Sequence, residues 1–157
     1  MVYLESQKDN PLSHPVHQLL YRSRLNAGRV DSPLAMLRDI VKISVANNSR
    51  QEITGYLLFD GDHFLQILEG PSQAVQETYE RIAKDPRHRD IEIVAASTVP
   101  ERSFGAWAMG GHLRGSQDGD IFARHGAQAR DIHSLTAEQA LALAIDLARE
   151  AARRRSA

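Results

Sequence analysis

The segment ITGYLLFDGDHFLQILEG, residues 53–70, constrains the fold more than any other part of this 157-residue chain. Two apolar runs, about Ile53 to Phe59 and His63 to Glu69, flank the dipeptide Asp60-Gly61. That dipeptide readily takes the positive backbone angles of a tight turn, and the flanking runs are rich in residues that favour strands. The segment therefore predicts a β-hairpin.

Helix and strand signals surround the hairpin in a recognisable order. The predicted elements are a strand over VHQLLYRSRL from Val16, a helix from Pro33 to about Asn48, the hairpin, a helix that ends before Pro86 and a strand from about Ile91 to Val99. A short fifth strand is expected around Ala106 to Gly110. This order predicts an α+β chain with the ferredoxin-like β-α-β-β-α-β arrangement, in which one sheet carries both helices on one face.

The two ends of the chain differ in character from its middle. Residues 1–15 are polar and contain two prolines, so we expect a flexible extension. Beyond the domain at residues 16–110, residues 111–157 read as a linker and a helical appendage, with a Gly-rich stretch from Gly115 to Asp120. Thr136 caps an Ala/Leu-rich helix that runs to Arg153. One stripe of this helix, Leu141, Ile145 and Ala148 with small alanines beside it, can pack on the back of the sheet or on another subunit.

Composition excludes several classes of protein and site. Hydrophobic residues at 42% and charged residues at 25% are typical of a globular domain. A net charge of -1 gives no general electrostatic reason to bind nucleic acid or acidic membranes. The sequence has no cysteine, so it has no disulfide and no thiolate metal site. We expect no metal site, since the seven histidines are scattered, and a cytoplasmic location, since neither a leader nor a membrane span is evident.

Polar side chains occupy positions where the pattern requires apolar ones. Asn48 falls within the apolar arc of the first helix and Ser44 at its edge, Gln66 has the strand parity of its apolar neighbours, and Tyr21 and Ser23 share one face of the first strand. If the first and third strands are neighbours, these groups converge, and each unpaired one would cost about 1–3 kcal/mol. The backbone or a water can satisfy any single one, whereas a planar heteroaromatic ligand would satisfy the set.

A family resemblance rests on blocks in matching order. The blocks are LLYRS at Leu19 to Ser23, Asn48, ITG at Ile53 to Gly55, FLQILEG at Phe64 to Gly70, DPRH at Asp85 to His88, and the segment from Arg102 through Phe104, Trp107 and Met109. Over about 90 residues the chain thereby resembles the BLUF family of blue-light photoreceptors that use flavin, in its short single-domain form.

The resemblance implies a flavin between the two helices, FAD with FMN or riboflavin as alternatives. Asn48 would bind the ring edge near N3 and C4=O, and Arg87 would reach C2=O. Tyr21 would give an electron and a proton, and Gln66 would bridge it to N5 and O4. The product would be a changed hydrogen-bond network around an unchanged flavin, seen as a small red shift. The further flavin-binding residues that the resemblance implies are Ser23, Ser44, Asn47 and His88.

The resemblance also implies a route for the signal. Trp107 and Met109 share parity in the expected fifth strand, so either could lie beside Gln66, and Trp107 could equally be a core aromatic. The signal would pass through this strand and the C-terminal helices to a separate signalling protein. We expect a homo-oligomer and no enzymatic activity.

Two other functions stay open on the sequence alone. The common nucleotide, zinc and hydrolase motifs are absent, but a small ferredoxin-like enzyme acting on phosphate or acyl groups would need only a nucleophile or an oxyanion site. An interaction module without a chromophore is the second alternative, because fold alone does not establish function. The colour of the purified protein separates the module from the sensor.

Overall fold

The computed structural model describes residues 15–127 and 132–156. The strands are β1 (Val16–Leu25), β2 (Thr54–Asp60), β3 (His63–Gly70), β4 (His88–Val99) and β5 (Gly110–Leu113). The helices are α1 (Pro33–Gln51), α2 (Ser72–Ala83), α3 (Gly119–Arg124) and α4 (Ala137–Ser156). The predicted flexible extension, residues 1–15, lies outside the described residues apart from Pro15.

All five strands form one sheet in the order β4-β1-β3-β2-β5. The pairs β1/β3, β1/β4 and β2/β3 are antiparallel, and β5 joins the edge of the sheet in parallel with β2. β2 and β3 form the predicted hairpin, with Gly61 in the turn at a φ of 65°. The ferredoxin-like α+β arrangement is confirmed, and β1 and β3 are its central neighbours.

Helices α1 and α2 cover one face of the sheet. Leu37 of α1 and Val75 of α2 pack there against strand residues such as Leu19 and Leu68. Ser32 caps α1, as the sequence predicts, by accepting a hydrogen bond from the Ala35 N–H at 3.3 Å. α1 is one turn longer than predicted and ends where Glu52 takes a left-handed φ of 59°. The extra turn leaves Asn48 inside the helix, where the helix fixes its direction.

Helices α3 and α4 cover the opposite face. Phe122 of α3 and Leu147 of α4 join a second apolar cluster with Leu58, Leu65 and Ile67 of the strands. The sequence left two places open for the small-residue stripe of α4, the back of the sheet or another subunit. In the structure the stripe packs on the back of the sheet. The buried stripe is centred slightly differently from the prediction and consists of Ala140, Leu143, Ala144, Leu147 and Ala148. Thr136 caps α4 as predicted, since its hydroxyl accepts the Gln139 N–H at 3.1 Å.

Three predicted bounds are wrong. The fifth strand is Gly110–Leu113, so the residues from Ala106 to Met109 precede it. β4 begins at His88, three residues before the predicted start. The predicted linker from Gly115 to Asp120 is a 3-10 turn followed by α3, because Asp118 accepts the Gly115 N–H at 2.7 Å and contacts the His112 ring at 2.8 Å.

Candidate functional site

Tyr21 and Gln66 face each other across the two central strands. The register of β1 and β3 makes them direct partners. Because side chains alternate along a strand, both point to the face that α1 and α2 cover. The Tyr21 hydroxyl donates a hydrogen bond to Gln66 Oε1, and each residue is only 2% exposed. The two polar residues that strand parity places on one face are therefore in direct contact.

The other end of the Gln66 carboxamide contacts Met109. Gln66 Nε2 donates to Met109 Sδ at 3.4 Å, and Met109 is buried in the core cluster on the same face. The sequence left Trp107 and Met109 as alternatives for the position beside Gln66, and in the structure Met109 occupies it. Tyr21, Gln66 and Met109 thus form a hydrogen-bonded row that ends at the residue before β5.

Trp107 lies on the opposite face of the sheet. It packs edge-on against Tyr56 at 6.0 Å between ring centroids, and the Arg155 guanidinium lies 4.4 Å above its ring. The segment before β5 is a turn, because the Trp107 N–H donates to the Phe104 carbonyl at 2.9 Å. The expected common parity of Trp107 and Met109 is therefore wrong, since that parity exists only in a strand.

Asn48 joins α1 to the same segment. The residue is 2% exposed, and its Nδ2 donates to the Ala108 carbonyl oxygen at 2.9 Å. Among the described residues none donates a hydrogen bond to its Oδ1, which leaves that oxygen for a ligand N–H. Ser44 and Asn47 lie nearby on α1, and both line the cavity described below.

Arg87 is held by carboxylates at the far end of the site. Its guanidinium bonds Asp85 in two places, the shorter at 2.6 Å, and its Nη1 lies 3.3 Å from Asp39. The bond from Arg87 holds the pKa of the Asp85 carboxyl below its ordinary value despite partial burial. Arg87 therefore lines the site as a cation whose charge is already partly neutralised.

His88 and Ser23 support each other behind the site. His88 Nε2 lies 2.7 Å from the Ile82 carbonyl oxygen, and its Nδ1 lies 2.8 Å from Ser23 Oγ. A carbonyl only accepts hydrogen bonds, so Nε2 carries the proton and, in the neutral ring, Nδ1 accepts from the Ser23 hydroxyl. His88 lines the cavity, whereas Ser23 acts through His88 and is not itself a lining residue.

Burial controls the chemistry of the Tyr21 phenol. Desolvation is the main reason that the pKa of Tyr21 is raised far above its ordinary value, and nearby Tyr79 and Asp85 add to the effect. The Tyr79 ring packs edge-on at 5.7 Å between centroids. Tyr21 therefore keeps its proton at neutral pH and is a hydrogen-bond donor.

A cavity of about 200 Å³ opens between α1 and α2 above these residues. This volume exceeds by more than tenfold the space that one ordered water needs, about 10–15 Å³. Its apolar walls are formed by Ile40, Ile43, Leu57, Phe64, Leu68 and Ile82. Tyr21, Asn48, Gln66 and Arg87 also line it, so amide, phenol and guanidinium groups surround a slot with apolar sides.

This set of groups fits the flavin that the resemblance implies. The edge of a flavin ring carries carbonyl oxygens and an N–H, which match the donors of Arg87 and Gln66 and the open Oδ1 of Asn48. Its faces are apolar and match the aliphatic walls. The sequence reasoning missed those walls: Ile40 and Ile43 lie one turn before Ser44 and Asn47, a spacing from which they could have been found.

Glu69 is a further residue to which the sequence reasoning assigned no role. It is fully buried, and its carboxylate accepts the backbone N–H groups of Ser103 and Phe104, both at 2.8 Å, and the Gln18 amide at 2.9 Å. In the sequence this residue could have been noticed because it has the same strand parity as two apolar residues of β3, where a carboxylate is unexpected. Glu69 fixes the start of the segment that carries Met109.

Within residues 15–127 and 132–156, no group of three or more His, Cys, Asp or Glu side chains is arranged to hold a metal ion. No helix in the part of the chain that the structure describes has the length and apolarity needed to cross a membrane.

Several known proteins are similar to the part of this chain that contains the site. The chain is 40% identical over 91 residues to the blue light- and temperature-regulated antirepressor BluF of Escherichia coli K12, a match that covers 58% of this chain and 22% of that protein. It is 40% identical over 70 residues to photoactivated adenylate cyclase subunit alpha of Euglena gracilis, covering 45% of this chain and 7% of that protein. The chain thus spans only a small part of these curated relatives.

Solved structures match over a larger share. The photo-activated state of BlsA is 27% identical with a TM-score of 0.75, and the match covers 85% of this chain and 94% of that one. BlrB, a BLUF protein in its dark state, is 29% identical with a TM-score of 0.65, covering 82% of this chain and 96% of that one. The family model of BLUF, described as sensors of blue-light using FAD, matches residues 16–110, more than half of the chain. The chain belongs to the BLUF family of blue-light sensors.

Proposed function

We propose that the cavity between α1 and α2 binds FAD and that blue light changes the hydrogen bonds of Gln66, so that the chain reports light to a partner protein. The observation that carries this proposal is the buried row from Tyr21 through Gln66 to Met109 along the cavity wall. FMN and riboflavin carry the same ring, and the family description favours FAD.

Asn48 and Arg87 hold the polar edge of the ring in this proposal. Asn48 binds near N3 and C4=O, because its Oδ1 is open and its position is fixed by the bond to Ala108. Arg87 reaches C2=O while Asp85 keeps its guanidinium in place. Ser44 and Asn47 pack beside the ring from α1, and Ser23 holds His88 against the cavity.

Tyr21 is the electron and proton donor. When bound, a flavin supplies the acceptor for both the electron and the proton, and blue light activates this acceptor. Tyr21 is suited to this step because burial keeps its phenol protonated and its hydroxyl already donates to Gln66. The electron and the proton later return to Tyr21, so the chain undergoes no net oxidation. No bond between the protein and the flavin forms.

Gln66 converts this transfer into a lasting change. Its amide carries a donor and an acceptor, and it can rotate or tautomerise while Tyr21 is altered. After a rotation, Nε2 would face Tyr21 and Oε1 would face Met109 Sδ. A thioether has no proton to donate, so a weak hydrogen bond becomes a contact between two acceptors. Met109, and not Trp107, receives this change, because Trp107 lies on the other face of the sheet.

The output passes through β5 and the C-terminal helices to a separate downstream protein. In this proposal the BLUF domain, residues 16–110, acts as a sensor and not as an enzyme. Self-association as a homo-oligomer belongs to the same proposal. Light scattering of dark and lit samples measures it.

The absorption spectrum of the purified full chain tests the function. We expect a yellow protein whose flavin band shifts reversibly to the red by a small amount under blue light. Chromatography of the released chromophore identifies FAD, FMN or riboflavin. A folded protein that stays colourless after addition of FAD would contradict the proposal and favour an interaction module.

A further inference from the structure

A second cavity lies at the edge of the sheet, beside β5 and between α1 and the last turns of α4. We call it the edge groove, and its volume is about 570 Å³. Tyr56, Trp107 and Met109 contribute its apolar floor, and Arg38, Lys42 and Arg155 lie around it. Its volume is within the roughly 300–1,000 Å³ of clefts that bind ligands.

An open strand edge runs along the groove. Within the described part of the chain β5 pairs only with β2, and no other described strand covers its second edge. Gly111 is exposed there, and a Cβ on it would lie 2.7 Å from Val41 Cγ2 of α1. The glycine thus lets α1 pack closely against the backbone of β5 on that face. An edge strand offers N–H and C=O groups that an extended peptide can pair with.

The charge around the groove has one sign. Arg38 and Lys42 are exposed, and among the described residues neither has a carboxylate within 4.0 Å, although many cations elsewhere in the chain do. Arg155 lies over the Trp107 ring, again without a carboxylate partner in the described part of the chain. No Asp or Glu of residues 15–127 or 132–156 lines the groove. Its cations are therefore available to an acidic partner.

We propose that the edge groove binds an extended acidic segment of a partner protein, which adds to the sheet beside β5 and places carboxylates next to Arg38, Lys42 and Arg155. Because side chains alternate along a strand, apolar side chains of that segment would contact Met109 on the face that α1 covers and Trp107 on the opposite face. The combination of a strand edge, an apolar floor and three cations favours a peptide over nucleic acid or a membrane, because neither of those pairs with a strand edge.

Met109 connects the edge groove to the light-sensing site. It lines the groove and also accepts the hydrogen bond from Gln66. A displacement of Met109 by light would therefore change the floor on which the peptide lies. This coupling rests on the proposed function, whereas binding in the dark requires no photochemistry, so the two can fail independently.

The sole tryptophan of the sequence, Trp107, lies in the groove and reports its occupancy. The probe is a synthetic peptide of two Glu-Glu-Val-Val repeats, which presents carboxylates and valines on both faces of an added strand. It is titrated into the full chain in the dark while tryptophan emission is recorded. We expect saturable binding, and no binding of the matched Lys-Lys-Val-Val peptide. Replacing the central valines by proline should weaken binding, because proline removes the strand's donors.

A charge-reversed variant locates the binding site. Arg38→Glu/Lys42→Glu should weaken binding by about tenfold or more, whereas Arg50→Glu/Lys84→Glu, the same charge change at exposed residues outside the groove, should leave it unchanged. Arg155→Glu provides the same test from α4 if the double variant does not fold. Absence of peptide binding, equal affinity in the groove variants, or groove-dependent binding of phosphatidylserine vesicles or oligonucleotides instead of the peptide would each overturn the proposal.

Discussion

Gln66 Nε2 lies 3.4 Å from Met109 Sδ, and this contact joins the cavity between α1 and α2 to the edge of the sheet. The same carboxamide accepts the Tyr21 hydrogen bond at its other end. A reversal of the amide therefore has unequal consequences: Tyr21 can donate or accept, but the thioether can only accept. We expect Met109 to be the side chain that moves.

Met109→Ala should separate the light reaction from its output. The variant keeps Tyr21 and Gln66, so the red shift should be nearly intact. It removes the side chain that touches Gln66, so the light-dependent change in α4 should be reduced. Hydrogen exchange of α4 in dark and lit samples measures this change. Met36→Ala, at another buried methionine on the same face, is the control and should keep the response. An undiminished response in the Met109 variant would refute the route.

Asn48→Ala should weaken flavin binding more than Arg87→Ala does. Asn48 is buried, and its loss leaves a ring edge unmatched at a cost of about 1–3 kcal/mol, or about fivefold to 150-fold in Kd. The Arg87 side chain is 29% exposed, so water can replace part of its contact. Equilibrium titration of the apoprotein with FAD gives both constants. Equal affinities in the two variants would count against this ranking.

Glu69→Ala should destabilise the fold by about 2 kcal/mol, because it leaves the buried N–H of Phe104 and the partly buried N–H of Ser103 without an acceptor. Urea unfolding followed by circular dichroism measures the change in the free energy of unfolding. Glu101→Ala removes an exposed carboxylate from the same region and should change stability little. Identical midpoints for both variants would show that Glu69 does not fix this segment.

The Asp85 carboxyl should titrate below its ordinary pKa of 3.8, since Arg87 holds it ionised. A carboxyl whose pKa is lower in the folded state stabilises the fold above the unfolded value and loses that contribution as the pH falls through the folded value. Arg87→Ala should raise the Asp85 pKa toward 3.8 and remove this acid sensitivity, whereas Arg29→Ala should not. Carboxyl carbon shifts recorded by NMR against pH measure it, and an unchanged Asp85 titration in the Arg87 variant would disprove the assignment.

Local periodicity carries much of the fold and part of the site. The alternation in FLQIL puts Gln66 on the same face as its apolar neighbours, and the helical period puts Asn48 on the inner arc of α1, as the structure has them. Both residues sit inside regular elements whose period fixes direction. The same reasoning gives the strand order once the hairpin and the two helices are identified.

The segment from Phe104 to Gly111 could not be predicted in this way. Its alternating apolar residues resemble a strand, but the Trp107 N–H turns back to Phe104, and Trp107 packs under the sheet against Arg155. The first contact is a local turn that alternation does not reveal, and the second joins residues distant in sequence. Gly111 is a strand residue, and Val41 of α1 approaches it so closely that a side chain there would clash.

The most direct test of the central claim is the light-minus-dark absorption spectrum of Tyr21→Phe and Gln66→Leu. Tyr21→Phe keeps the ring and removes the donor, and Gln66→Leu keeps the volume and removes the relay. We predict that both variants retain flavin and show no red shift, while Tyr79→Phe, which alters the neighbouring phenol, shifts like the wild type. A normal, reversible red shift in either the Tyr21 or the Gln66 variant would contradict the account.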